Sequence, residues 1–144
     1  MLSPPSEGDE IVADYASLGL TLGRHPLALL RPRLTRMRLS TAASIQALAS
    51  GTPARAAGIV TGRQRPGTAK GVVFVTLEDE TGYTNVVVWE RLVKAQRREL
   101  LGASLLGVHG VVQKEKGVVH LVARRLVDYS RLLGRLATSS RDFH

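Results

Sequence analysis

Two β-rich runs carry residue types suited to recognition chemistry: GVVFVTL at 71–77 and YTNVVVW at 83–89. Phe74 and Asn85 lie near the middle of these runs. An aromatic ring offers a flat face for stacking, and a carboxamide offers both a donor and an acceptor. Together they suit a flat heteroaromatic group that is stacked and hydrogen-bonded at once. Tyr83 adds a second ring, and Thr76 adds a hydroxyl in the same strand phase as Phe74.

Catalytic and metal-binding patterns are absent from the sequence. His25, His109, His120 and His144 are scattered, and there is no HExxH, phosphate-binding glycine loop or GxSxG motif. The chain has no Cys, which rules out disulfides and thiolate metal sites. Glu78, Asp79 and Glu80 are adjacent, but strand alternation separates their side chains. In LEDETG, Asp79 is expected to bond turn backbone instead. No catalytic residue, metal or cofactor is expected.

The charge points to a polyanion. The chain of 144 residues has a formal net charge of +8. Residues 1–50 contribute +1 of this and residues 51–144 contribute +7. Such a balance favours nucleic acid as a partner. Arg63, Arg65 and Lys70 surround the first turn of the basic part, in a stretch from Arg55 to Gly71 that lacks any carboxylate. Lys114 and Lys116 flank Glu115 at a later turn. A solvated loop also attracts basic residues, and that reading stays open for both groups. Arg91, Lys94, Arg97 and Arg98 alternate with Glu90 and Glu99 and read as a solvated helix face.

These residues need a scaffold. Residues 1–8 read as a disordered start. Apolar positions from Asp9 to Leu22 recur at helical spacing. His25–Met37 reads as a second helix, short or kinked because of Pro32, and Thr41–Ser50 as a third. The period then changes to two. Strands are expected at Ala54–Arg65, Gly71–Leu77, Tyr83–Trp89, Ser104–Gln113 and Val118–Arg124. One helix is expected over Glu90–Leu101, between the third and fourth strands. Asp128–Leu136 reads as a closing helix, followed by a polar tail. The domains are therefore 1–8, a helical connector at 9–50, a barrel at 51–127, and a closing segment at 128–144.

Three strands, a helix and two strands is the order of a mainly β, five-stranded OB-type Greek-key barrel. A generic antiparallel α+β domain gives the same string. In the second strand Val73, Val75 and Leu77 share one face, read as interior. Val72, Phe74, Thr76 and Glu78 share the other. Continued across the hairpin, that outer face gathers Phe74, Asn85 and Tyr83. One unpaired base could stack there, with Arg63, Arg65, Lys70, Lys114 and Lys116 neutralising phosphates. Phe74 could instead pack beneath the first strand or the N-terminal helices. Trp89, at a strand end, reads as a packing anchor, and His120 as an ordinary surface or core residue. No run is long and apolar enough for a membrane span, and MLSPPSEGDE lacks a signal-peptide pattern.

The chain resembles the C-terminal region of bacterial C-family error-prone DNA polymerases, a connector plus OB domain. Gly58–Thr61, RQRPGTAKG (63–71), TLEDETG (76–82), HLVARRLVD (120–128) and the terminal SRDFH carry the likeness. DYASLGLTLGRHPLALLRPRL (14–34) resembles the helical connector. The resemblance implies an OB domain on single-stranded template DNA, with roles in DNA repair, replication and translesion synthesis in the cytoplasm. It implies a polymerase catalytic piece or other translesion proteins as partners. The metal-binding carboxylates of a polymerase palm have no counterpart in this chain, so no activity is expected from it alone. The hairpin is also similar to anticodon-binding OB domains, where a second-strand aromatic and a third-strand amide read a base. Those positions correspond to Phe74 and Asn85. Two other roles remain open: a protein-interaction module, and a nonfunctional remnant.

Overall fold

The computed structural model describes residues 25–66 and 71–142, with side chains described through residue 136. The start at 1–8, the helix expected at Asp9–Leu22 and Lys70 lie outside the described residues.

Five strands form a closed barrel: β1 (Pro53–Gln64), β2 (Val73–Asp79), β3 (Gly82–Val88), β4 (Leu105–Glu115) and β5 (Val118–Asp128). Their order around the barrel is β1-β2-β3-β5-β4. Neighbours are antiparallel except β3 and β5, which run parallel. The mainly β barrel expected from the strand order is the one observed.

Alternation divides each strand between core and surface. Val73, Val75 and Leu77 of β2 are buried, as are Val86 and Val88 of β3 and Val119 and Leu121 of β5. They meet Leu106, Val108 and Val112 of β4 in one apolar interior. Gly110 lets β4 and β5 approach closely at the register shift after His109. A methyl group there would collide with the backbone carbonyl of Val122.

The helix between β3 and β4 departs from expectation. It is two short helices, α3 (Glu90–Ala95) and α4 (Arg97–Gly102), broken at Gln96. The Gln96 side chain explains the break. Its Nε2 donates to the Leu126 carbonyl at 2.8 Å, and its Oε1 accepts from the Leu126 N–H at 2.7 Å. Docking that amide on β5 takes Gln96 to φ −125°, ψ 41°, outside the helical range. Val93 and Leu100 still enter the core from either side of the break.

Two helices precede the barrel: α1 (Pro26–Arg36) and α2 (Ala42–Gln46). Pro26 occupies the first turn of α1, where no N–H is required, and His25 Nδ1 accepts from the Leu27 N–H at 3.0 Å. The helix runs through Pro32 as one element. Buried Leu27, Leu30 and Leu34 hold it against Ala57, Leu105 and the closing helix α5 (Ser130–Asp142) through Leu132 and Leu133. Each fully buried leucine contributes about 1.5–3 kcal/mol. The connector and the closing helix thus share a second apolar cluster outside the barrel.

The β2–β3 turn ties the connector to the barrel. Asp79 Oδ1 accepts from the Thr81 N–H and hydroxyl, both at 2.7 Å, and from the Gly82 N–H at 3.2 Å. Asp79 Oδ2 accepts from the Ala42 N–H at 2.7 Å, at the start of α2. Arg31 of α1 makes a two-pronged ion pair with Glu80, at 2.6 and 2.8 Å. Burial pushes the Glu80 carboxyl up, but hydrogen bonds from Arg31 and backbone, with the Arg31 charge, outweigh it. The net pKa lies below the ordinary value. The Glu80 hydrogen bond holds Arg31 above its own ordinary value.

Gly110→Ala should cost about 1–3 kcal/mol in chemical denaturation, because backbone rather than a movable side chain stands in the way. Gly102→Ala, with open space around it, should be near neutral. The Glu80 contact should be fully present above the ordinary carboxylate pKa and lost as pH falls through the lowered one. Amide exchange should therefore show α1 losing protection on acidification, and Glu80→Gln should flatten that dependence.

Candidate nucleic-acid interface

Strand register places the outward side chains in rows across the barrel. Gln64 of β1 lies opposite Phe74 of β2, Phe74 opposite Val87 of β3, Val87 beside Val122 of β5, and Val122 opposite Val111 of β4. This row is mostly apolar. The adjacent row is polar: Gly62, Thr76, Asn85, His120 and Gln113 are paired in turn across the same strands. Paired residues project from one face. An apolar row and a polar row therefore run side by side.

Phe74, Thr76, Asn85 and Tyr83 share this outer phase. Phe74 and Thr76 are half-buried, and Asn85 is exposed. Tyr83 lies opposite Glu78 and is 57% exposed, with its ring available to a ligand. The rows also hold Gln64 and Gln113, which residue type and spacing did not single out. They hold His120 too, whose alternation with Val119 and Leu121 was the available signal. An unknown strand pairing hid its position beside Asn85.

The basic residues are distributed differently from expectation. Arg63 lies opposite buried Val75, in the interior phase, not beside Phe74. Its guanidinium donates to the carbonyls of Leu100 and Ala103, each at 2.6 Å. Arg63 thereby satisfies carbonyls at the end of α4, while the residue as a whole stays exposed near the end of β1. Arg65 is exposed just beyond β1. Lys114 lies opposite buried Val119 and so leaves the sheet on the side away from His120. Lys116 forms the hairpin tip with Gly117, at φ 52° and 79°. That pair of left-handed residues is the two-residue turn that joins twisted strands tightly.

A second basic row lies on β1, β4 and β5, where Arg55 faces His109 and His109 faces Arg125. Burial, then the charges of Arg55 and Arg125, hold the His109 imidazole below its ordinary pKa. Trp89 also departs from its expected packing role. It is 56% exposed and lines a cavity of about 440 Å³ with Arg91, Leu92, Ala95, Val122 and Arg124. Among the described residues no group of three or more His, Asp or Glu side chains could hold a metal ion. No helix among them is long and apolar enough to cross a membrane.

Comparison with known proteins fits this geometry. A family model described as an OB-fold nucleic acid binding domain matches residues 54–129. An error-prone DNA polymerase of Ralstonia nicotianae is 63% identical over 144 residues, covering 100% of this chain and 13% of the polymerase. Another from Dechloromonas aromatica is 63% identical over 143 residues, covering 99% of this chain and 14% of the polymerase. The chain thus spans about one seventh of the length of these curated relatives. Among solved structures, asparaginyl-tRNA synthetase from Pyrococcus horikoshii superposes with a TM-score of 0.51 at 23% identity, over 63% of this chain and 22% of that one. An OBody bound to hen egg-white lysozyme gives 0.50 at 22% identity, over 62% of this chain and 91% of that one. At such identities these structures are alike in fold.

Arg63→Ala should lower stability in denaturant unfolding by about 1–3 kcal/mol, since two carbonyls at a helix end lose a charged donor. Arg63→Lys should restore only part of it, because one ammonium cannot reproduce the fork.

Proposed function

Since the chain belongs to the OB-fold nucleic acid binding domain family, we propose that it holds an unpaired DNA strand within an error-prone polymerase. The observation that carries this reading is the pair of registered rows. Phe74 stacks one base, and Asn85, with Thr76 and His120 beside it, hydrogen-bonds base edges. Exposed Tyr83 extends the stacking surface. Arg65, Lys70 and Lys116 neutralise phosphates along the strand's approach. The relatives named as error-prone DNA polymerases support the setting.

In that setting the strand is template, and the process served is translesion synthesis, with its place in DNA repair and replication in the cytoplasm. The chemistry of polymerisation belongs to another part of the polymerase, which is the expected protein partner. This segment acts by position: it raises the local concentration of template and fixes its path. Aromatic stacking contributes ~1–3 kcal/mol per base and tolerates any base, which suits a template of arbitrary and damaged sequence.

The test is salt-dependent binding to single-stranded and duplex DNA, read by fluorescence anisotropy. Single strands should bind more tightly. Phe74→Ala should weaken binding by about tenfold, as loss of one stacked base requires. Arg65→Ala should reduce the slope of log K against log salt by about 0.7. Equal affinity for duplex and single strand would overturn the proposal.

A further inference from the structure

The cavity beside Trp89 lies outside the Phe74–Asn85 site and has a different makeup. Its walls are the Trp89 ring, Leu92 and Ala95 of α3, and Val122 and Ala123 of β5, with Arg91 and Arg124 among the lining residues. At about 440 Å³ it falls in the size range of sites that enclose small organic groups. Trp89 is a large aromatic that would ordinarily be covered, yet it is more than half exposed. Among the described residues neither Arg91 nor Arg124 has an ion-pair partner, whereas nearby Lys94 is paired with Glu90 at 3.0 Å. An apolar slot with an exposed indole and two uncompensated guanidinium groups matches a nucleotide: a flat base with an attached anion.

Continuity with the sheet face argues for the same strand as occupant. Val122 belongs both to the cavity wall and to the row that begins at Gln64 and Phe74. Phe74 and Val122 are two strand spacings apart, about 10 Å. A stacked strand advances about 3.4 Å per nucleotide, so the cavity is about three nucleotides from Phe74. Charge complementarity favours this occupant over an apolar protein side chain, which would leave Arg91 and Arg124 without a counter-ion.

We infer that Trp89, Leu92 and Val122 form a second base-binding pocket, in which Trp89 stacks an unpaired base and Arg91 and Arg124 hold its phosphates. This inference rests on the strand-binding reading and extends it.

Trp89 is the only tryptophan of the chain, so its emission reports the pocket without any substitution. The full chain is titrated with an oligothymidylate of about 12 nucleotides, within the span of an OB fold. Anisotropy of a labelled strand and tryptophan emission are followed together. Expected are quenching with the same midpoint as the anisotropy, a loss of about tenfold in affinity for Trp89→Ala, and near-complete rescue by Trp89→Phe. Arg91→Ala with Arg124→Ala should lower the salt slope by about 1.4. Anisotropy showing tight binding while emission stays constant would overturn the pocket and leave the strand-binding reading standing. No anisotropy change at all would sink both. Loss of binding in Phe74→Ala with the Trp89 variants unaffected would place the strand on the sheet alone, and the pocket proposal would fall.

Discussion

β1 is shared by both halves of the barrel. Pro53–Ile59 pair with β4, Ile59–Gln64 pair with β2, and the register shifts between Val60 and Gly62 as the strand changes partner. Closure depends on this double pairing, and closure decides what every other residue can do. Once the inward phase of each strand is committed to Val75, Leu77, Val86, Leu106, Val108 and Leu121, only the outward phase is left for a ligand. The bulge also turns the end of β1, so that Gln64 joins the Phe74 row while Arg63 enters the opposite phase. One residue of register separates an outward-facing side chain from one that caps a helix.

That single-residue step explains what was legible in the sequence. Alternation within β2 and β3 identified Val73, Val75 and Leu77 as interior, and put Phe74 with Asn85, because both strands are regular and joined by a short turn. Arg63 was read from the charge around the first turn, which shows neither the bulge in β1 nor the phase that it sets. Alternation passed over the partnership of Asn85 and His120 because parallel β3–β5 pairing links residues far apart in sequence. The helix after β3 was visible through its apolar spacing. Its break was not, since Gln96 leaves the helix only to meet Leu126 on a strand that the local pattern does not reveal. Trp89 was misplaced for a related reason. Strand-end aromatics usually pack, and only the course of α3 and β5 shows that this one borders a cavity.

Asp79 shows how the turn serves more than the hairpin. One carboxylate oxygen closes the β2–β3 turn and the other starts α2. Arg31 approaches the same carboxylate at 3.6 Å while pairing closely with Glu80. The connector is thereby fixed at the turn by directional bonds and at β1 and β4 by Leu27, Leu30 and Leu34. This attachment accounts for the acidic LEDETG sequence in an otherwise basic half of the chain. Its carboxylates are engaged in structure, so they subtract less from the field around the sheet face than their number suggests.

The distribution of charge then sets the division of labour on the surface. The two central rows, Gln64–Phe74–Val87–Val122–Val111 and Gly62–Thr76–Asn85–His120–Gln113, contain no Lys or Arg. Exposed cations stand around them instead: Arg65 beyond β1, Lys116 at the hairpin tip, and Arg124 beside the Trp89 cavity. Charges at the margin attract a polyanion over a Debye length of about 8 Å at physiological salt, whereas stacking and amide bonding act only at contact. On the proposed reading a strand would be drawn in without regard to sequence, and its bases would then meet one apolar row and one row that offers hydrogen bonds. The rim cations and the central rows are physically separate, so either can be altered in this fold without rebuilding the barrel that carries both.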